Sequence, residues 1–169
     1  MYNDEKKMKE TSRLVWGFTL LELLIVVAII SIIVGVSLFS LSKYRNRGIL
    51  DSTTRKISAL LREAQSRSSA QESGTMWGVH FENSTNTPAF YALFSGTYGT
   101  STVVDRYALP SLVSYSTSSI AQGSFKEVSF AQGSGIPFLS SSITLFLSVG
   151  GTTIASSAIN ISGSGLIGY

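Results

Sequence analysis

The residues with the strongest claim to chemistry stand near the N-terminus: Gly17, Phe18 and Glu22, in the run GFTLLELLIVVAII. Glu22 is the one ionisable side chain between Phe18 and Leu41. A carboxylate in such a run costs roughly 2.5–3.5 kcal/mol at the centre of a bilayer, and less near its surface. A group that costly needs water, reached by snorkelling, or a positive partner. Elsewhere the catalytic inventory is thin. The chain has no cysteine and one histidine, His80, which excludes disulfides, thiolate metal sites and cysteine nucleophiles. His80 alternates with Trp77, Val79 and Phe81, which predicts a solvent-side strand position, and no serine carries the glycines of a nucleophile elbow. Past residue 67 the carboxylates are Glu72, Glu82, Asp105 and Glu127, and their spacing suggests no hydrolase pair. Asp105 with Arg106, and Glu127 with Lys126, read as local surface ion pairs. No catalytic residue, cofactor or metal site is expected.

At 169 residues the chain has room for one core and an N-terminal appendage. Residues 1–17 are polar and lysine-rich, a leader. Residues 18–42 are apolar and free of proline, and about 20 apolar residues at 1.5 Å each are enough to cross a ~30 Å hydrocarbon core. Residues 43–73 continue the helix with a narrower stripe: Ile49 or Leu50, Thr53, Ile57, Leu60 or Leu61, and Ala64 recur every three to four residues. One helix from Phe18 to Gln71 is the economical reading, weakened by Gly48 and stopped at Gly74.

From residue 74 to 169 the period changes to two, and Ser, Thr, Gly and Val dominate. Strands are expected at Thr75–Glu82, Ala89–Ser95, Thr102–Leu109, Leu112–Ser116, Lys126–Phe130, Ser142–Val149, Thr152–Ile161 and near Leu166. Asn83–Thr87 would close the first hairpin, and Gly150-Gly151 suits a two-residue turn with positive φ. The fold class is therefore α+β: one long N-terminal helix packed on a C-terminal antiparallel β-sheet head.

Charge divides the same way. From residue 43 to residue 67, Lys43, Arg45, Arg47, Arg55, Lys56, Arg62 and Arg67 face only Asp51 and Glu63, so this stretch is strongly basic and suited to anionic lipid. Beyond it, Arg106 and Lys126 are the only Lys or Arg. Duplex binding needs several phosphate contacts, so no nucleic acid partner is expected for the head. Trp77, Tyr91 and Tyr98 could stack bases but read as core or rim aromatics.

Gly17-Phe18-Thr19-Leu20-Leu21-Glu22, followed by the apolar run, resembles the N-terminus of type IV prepilins and pseudopilins. The resemblance implies cleavage between Gly17 and Phe18 by a prepilin peptidase, N-methylation of Phe18, and a role for Glu22 in aligning an incoming subunit. The spacing suits that chemistry. Glycine at residue 17 leaves room for a protease against the backbone, and the cut exposes an amine four residues before Glu22 on one helical face. In a low-dielectric bundle that amine can neutralise a neighbour's carboxylate. The segments Leu60–Gln65, Trp77–Phe81, Leu109-Pro110, Phe130–Gly133 and the final hairpin ending at Ile159–Gly165 are similar to GspH and FimT-like minor pseudopilins. Two features depart from many pilins: no cysteine pair staples the C-terminal loop, and no proline kinks residues 18–71.

The implied protein is a structural subunit, not an enzyme, of a type II secretion pseudopilus or a type IV pilus. Its partners would be the peptidase, other pilin or pseudopilin subunits and the inner (cytoplasmic) membrane, with no small-molecule substrate. It would cross that membrane once, N-terminus cytoplasmic and head periplasmic or extracellular, before entering the filament. Two rivals stand beside it. A secreted protein cut after Ser40-Leu41-Ser42 would need an unusually long apolar region and leaves Glu22 unexplained; a membrane-anchored binding module makes Glu22 dispensable.

Overall fold

The computed structural model describes residues 17–169, apart from the side chains of residues 36–43. The expected leader thus lies, save for Gly17, outside the described residues. The described residues divide into two compact units, one ending at Leu41 and the other running Ser42–Tyr169. Helix α1 runs Leu20–Ser69, which no proline interrupts. It ends before Gly74, because Gln71 takes the left-handed conformation (φ 55°) and a 3₁₀ turn occupies Glu72–Gly74. Arg67 helps hold that end: it bridges Glu63 at 2.7 Å and Glu72 at 3.0 Å, and lies 4.6 Å above the Trp77 ring.

Eight strands follow: β1 Trp77–Asn83, β2 Phe90–Ser95, β3 Val103–Ala108, β4 Val113–Tyr115, β5 Ser124–Phe130, β6 Ser141–Val149, β7 Thr152–Ile161 and β8 Ile167–Gly168. With the helix they make the expected α+β arrangement, a C-terminal antiparallel β head whose strands divide between two sheets, sheet A in the order β3-β2-β1-β5 and sheet B in the order β4-β6-β7-β8. The β6–β7 hairpin turns on Gly150 and Gly151 with φ of 59° and 81°, the positive values that two-residue turns demand. Gly78 has a different reason. A Cβ there would stand 2.7 Å from the Phe94 ring, so β1 is thinned where that ring lies across it.

The stem half of α1 buries Leu50, Ile57, Leu61 and Ala64 in one core with residues of both sheets, among them Val79, Phe81, Leu93, Leu145, Leu147 and Ile159. Buried Thr53 and Thr54 turn their hydroxyls back to the carbonyls of Ile49 and Leu50, at 2.8 and 2.9 Å. Beside the apolar stripe runs a polar line. Arg62 donates to Ile167 O at 3.0 Å, and Gln65 Nε2 to Gly165 O at 2.9 Å and Gly135 O at 3.1 Å. Ser68 Oγ accepts the Trp77 N–H at 2.7 Å and donates to Phe130 O at 3.1 Å. Helix and sheets are thus tied at three successive turns.

Tyr115, buried on β4, donates its hydroxyl to Phe90 O on β2 at 2.9 Å and so joins sheet B to sheet A. Burial pushes its phenol far above the usual range, with Tyr91 and Glu82 adding to the rise. A phenol whose folded-state pKa is raised stabilises the fold fully below about 10, and that stability is lost as pH rises further. Unfolding of the full chain in mild detergent is expected to become steeply easier above pH ~10. Tyr115→Phe should flatten that slope while costing about 1 kcal/mol at neutral pH; equal alkaline slopes in the two proteins would show that Tyr115 is not responsible.

Candidate functional site

Thr19 opens α1. Its Oγ1 accepts the Glu22 N–H at 3.2 Å and its carbonyl accepts the Leu23 N–H at 3.2 Å. Thr19-Leu20-Leu21-Glu22 therefore has the spacing of a capping box, with the acid at the third helical position where it also meets the positive end of the helix dipole. Sequence reasoning treated Glu22 as an acid without a local reason; the S/T-x-x-E spacing was the signal that supplies one. The cap sets how the helix starts. It leaves the carboxylate exposed and free to meet something outside the chain.

Gly17, Phe18 and Glu22 thus lie together at one end of the helix, all exposed. A Cβ at Gly17 would meet nothing within 4 Å, and no positive φ holds it. Nothing inside the described structure requires glycine there. From residue 17 to residue 35 every side chain is exposed, Phe18 at 72 % and Leu20 at 81 %. The surface is apolar all round, and Ser31 satisfies its own hydroxyl by donating to Val27 O at 2.8 Å. In water such a surface is unstable; it calls for lipid or for other helices. Among the described residues no helix is long and apolar enough to cross a membrane. The span expected over residues 18–42 runs past Gly35 into residues 36–43, whose side chains lie outside the described set.

The second cluster corrects the reading of His80. It is not on the solvent side: it is 2 % exposed on the face of sheet A turned away from α1's stem. Alternation with Val79 and Phe81 holds, but the second face is covered as well. Tyr98, from the β2–β3 connection, stacks on the imidazole at 3.6 Å between ring centres and an interplanar angle of 1°, and Phe125 lies 5.3 Å away. Nδ1 is 3.0 Å from Glu127 Oε1 and Nε2 is 3.0 Å from Glu82 Oε2. Cross-strand register explains the grouping, since His80 stands opposite Glu127 of β5 and shares its face with Glu82.

The fold therefore does gather two carboxylates, against the expectation from spacing. They occupy both nitrogens of one buried ring, so neither nitrogen is left to serve an external substrate as base or ligand. The arrangement braces β1, β5 and the Tyr98 connection. Glu127 is spent here and not on Lys126, whose Nζ donates to Ser142 O at 3.1 Å. Among the described residues no ion pair joins Asp105 to Arg106 either; the Arg106 guanidinium lies 3.7 Å above the Phe90 ring. Of the other aromatics, Trp77 and Tyr91 belong to the core.

His80→Ala removes both hydrogen bonds and the stack, and leaves two carboxylates without their partner. A loss of about 3 kcal/mol in chemical unfolding is expected. A change under ~1 kcal/mol would mean that the cluster carries no weight in the fold.

A family model described as the prokaryotic N-terminal methylation motif matches residues 17–38. No curated protein and no solved structure matches the chain.

Proposed function

We propose that this chain, which carries the N-terminus of the type IV prepilin-like superfamily, is a minor pilin or pseudopilin of the GspH and FimT-like kind, built into a type II secretion pseudopilus or a type IV pilus. In this reading a prepilin peptidase cuts between Gly17 and Phe18, and the new Phe18 amine is methylated. Residues 18–42 hold the chain in the inner membrane, N-terminus cytoplasmic and head outside, until the same helix enters the filament. The observation that supports it most is an exposed helix, apolar on every side, whose first turn bears one acid. Gly17 adds to this, since a glycine demanded by nothing among the described residues fits a demand made by a protease.

The mechanism follows from charge and solvent. In the membrane Glu22 is close enough to the helix end to reach the headgroups. Moved into a bundle of apolar helices it loses that water, and an unpaired carboxylate there costs several kcal/mol. The cut supplies the remedy: the amine of Phe18 on a neighbouring subunit can neutralise Glu22 only at one axial stagger. Burial cost thereby becomes a register signal.

The capping geometry favours a second reading, in which Glu22 serves only its own helix and the apolar segment is a plain anchor. The two readings separate by substitution, because glutamine fills the third position of a capping box as well as glutamate does. Glu22→Ala and Glu22→Gln should both insert and be cleaved. Both should enter filaments at least about tenfold less than the parent, the equivalent of losing a little over 1 kcal/mol of pairing. Normal incorporation of Glu22→Gln would instead support the anchor reading. Cleavage has its own test: Gly17→Val is expected to leave full-length precursor in the membrane, and its normal processing would contradict the assignment of the site.

A further inference from the structure

Between the stem and the β2–β3 side of sheet A lies a cavity of about 300 Å³, lined by Lys56, Ala59, Leu60, Glu63, Tyr91 and Tyr107. Its four helix residues stand at i, i+3, i+4 and i+7, so they share one face of α1 over about 10 Å. Lys56 and Glu63 mark the two ends, and the small Ala59 between them keeps the space open. The opposite wall comes from the sheet, where Tyr91 and Tyr107 are paired in register with their rings stacked at 5.4 Å and 25°. Tyr107 is 44 % exposed, an aromatic wall that solvent can reach.

The polar groups of this cavity are held in reserve. Among the described residues the Tyr91 and Tyr107 hydroxyls and Lys56 Nζ have no hydrogen-bond partner. Glu63 takes both Arg67 hydrogen bonds on Oε1, at 2.7 and 3.1 Å, which leaves Oε2 to accept. Tyr91 is the strongest sign of a ligand. Only 4 % of it is exposed, and a phenol so enclosed ordinarily finds a partner. Among the described residues the sealed side-chain atoms without one are Ser58 Oγ and Thr75 Oγ1, so the Tyr91 hydroxyl reaches open space, and the space it lines is this cavity. Burial raises its phenol above the ordinary range, with Tyr107 adding to the rise, so at neutral pH it keeps a proton to donate.

We propose that the cavity binds one ring of an uncharged saccharide, laid along Tyr107 with its hydroxyls toward Tyr91, Lys56 and Glu63. Sugar hydroxyls donate and accept at once, which matches an ammonium at one end, a carboxylate oxygen at the other and a phenol between them. A simple anion would meet Lys56 but face Glu63, and a simple cation would meet Glu63 but face Lys56. The volume stands at the small end of ligand pockets, roughly 300–1,000 Å³, and suits a ring better than a long chain. The inference does not rest on cleavage at Gly17 or on entry into a filament.

Saturation-transfer NMR and titration calorimetry on the full chain, in a detergent whose headgroup carries no sugar, test this with glucose, galactose, mannose, N-acetylglucosamine, maltose and cellobiose. At least one is expected to bind with a dissociation constant below about 10 mM and to take up saturation on its ring protons. Ala59→Leu fills the cavity from an exposed helical position and should abolish binding, with circular dichroism checking that the fold is kept. Tyr91→Phe removes only a hydroxyl without a partner, so binding should weaken about tenfold while the melting temperature stays within about 2 °C. A hydroxyl with a merely structural role would do the reverse, lowering the melting temperature and leaving binding unchanged. That result overturns the proposal. So does failure of all six sugars to bind, equal binding of acetate or glycine, or sugar binding that neither variant alters.

Discussion

Arg62, Gln65 and Ser68 stand three residues apart on one side of α1, and through them the helix holds both sheets by their backbones. Apolar packing alone fixes how far apart layers lie, but it tolerates sliding. Directed hydrogen bonds to the carbonyls of Gly135, Gly165, Ile167 and Phe130 remove that freedom. They also dictate the loops. A Cβ at Gly165 would stand 2.6 Å from Gln65 Nε2, and one at Gly135 would collide with Ser69 Oγ, so both loops need glycine where the helix comes closest. The Leu50, Ile57, Leu61 stripe supplies the burial; the polar line beside it supplies the position.

The same helix must satisfy two solvents. Its N-terminal stretch to Val34 exposes apolar side chains on all sides, while its stem buries one face and exposes Arg55, Lys56 and Ser66. That change of pattern, from apolar all round to a single stripe, separates a segment for lipid or partner helices from a segment that builds a core. A carboxylate is tolerable in the first segment only at its start, where the Thr19 cap and the helix dipole offset part of its cost.

Period and punctuation made most of the fold legible. The alternation after Gly74 gave all eight strands to within a few residues, and Gly150-Gly151 gave the β6–β7 turn, because these signals are local. The division into two sheets was not legible, since it depends on which strands pair, and no local pattern distinguishes β1–β5 pairing from β5–β6 pairing. His80 was misplaced for a similar reason: alternation assigns a face, but only tertiary structure reveals that Tyr98 and Phe125 cover it. At the N-terminus the motif residues were plain, because their meaning lies in spacing along one helix. The capping role of Thr19 was readable from the same spacing and was hidden by the stronger oddity of an acid in an apolar run.

The central claim is that Glu22 is tolerated because a new amine is made at Phe18 to meet it. Mass spectrometry of the N-terminal peptide, from chain extracted from membranes of a host with active prepilin peptidase, tests this most directly. The account predicts a mature chain that starts at Phe18 and carries one added methyl group on its amine. A chain that starts at Met1 in that host, or at Lys43 after a cut beyond the apolar helix, would contradict it.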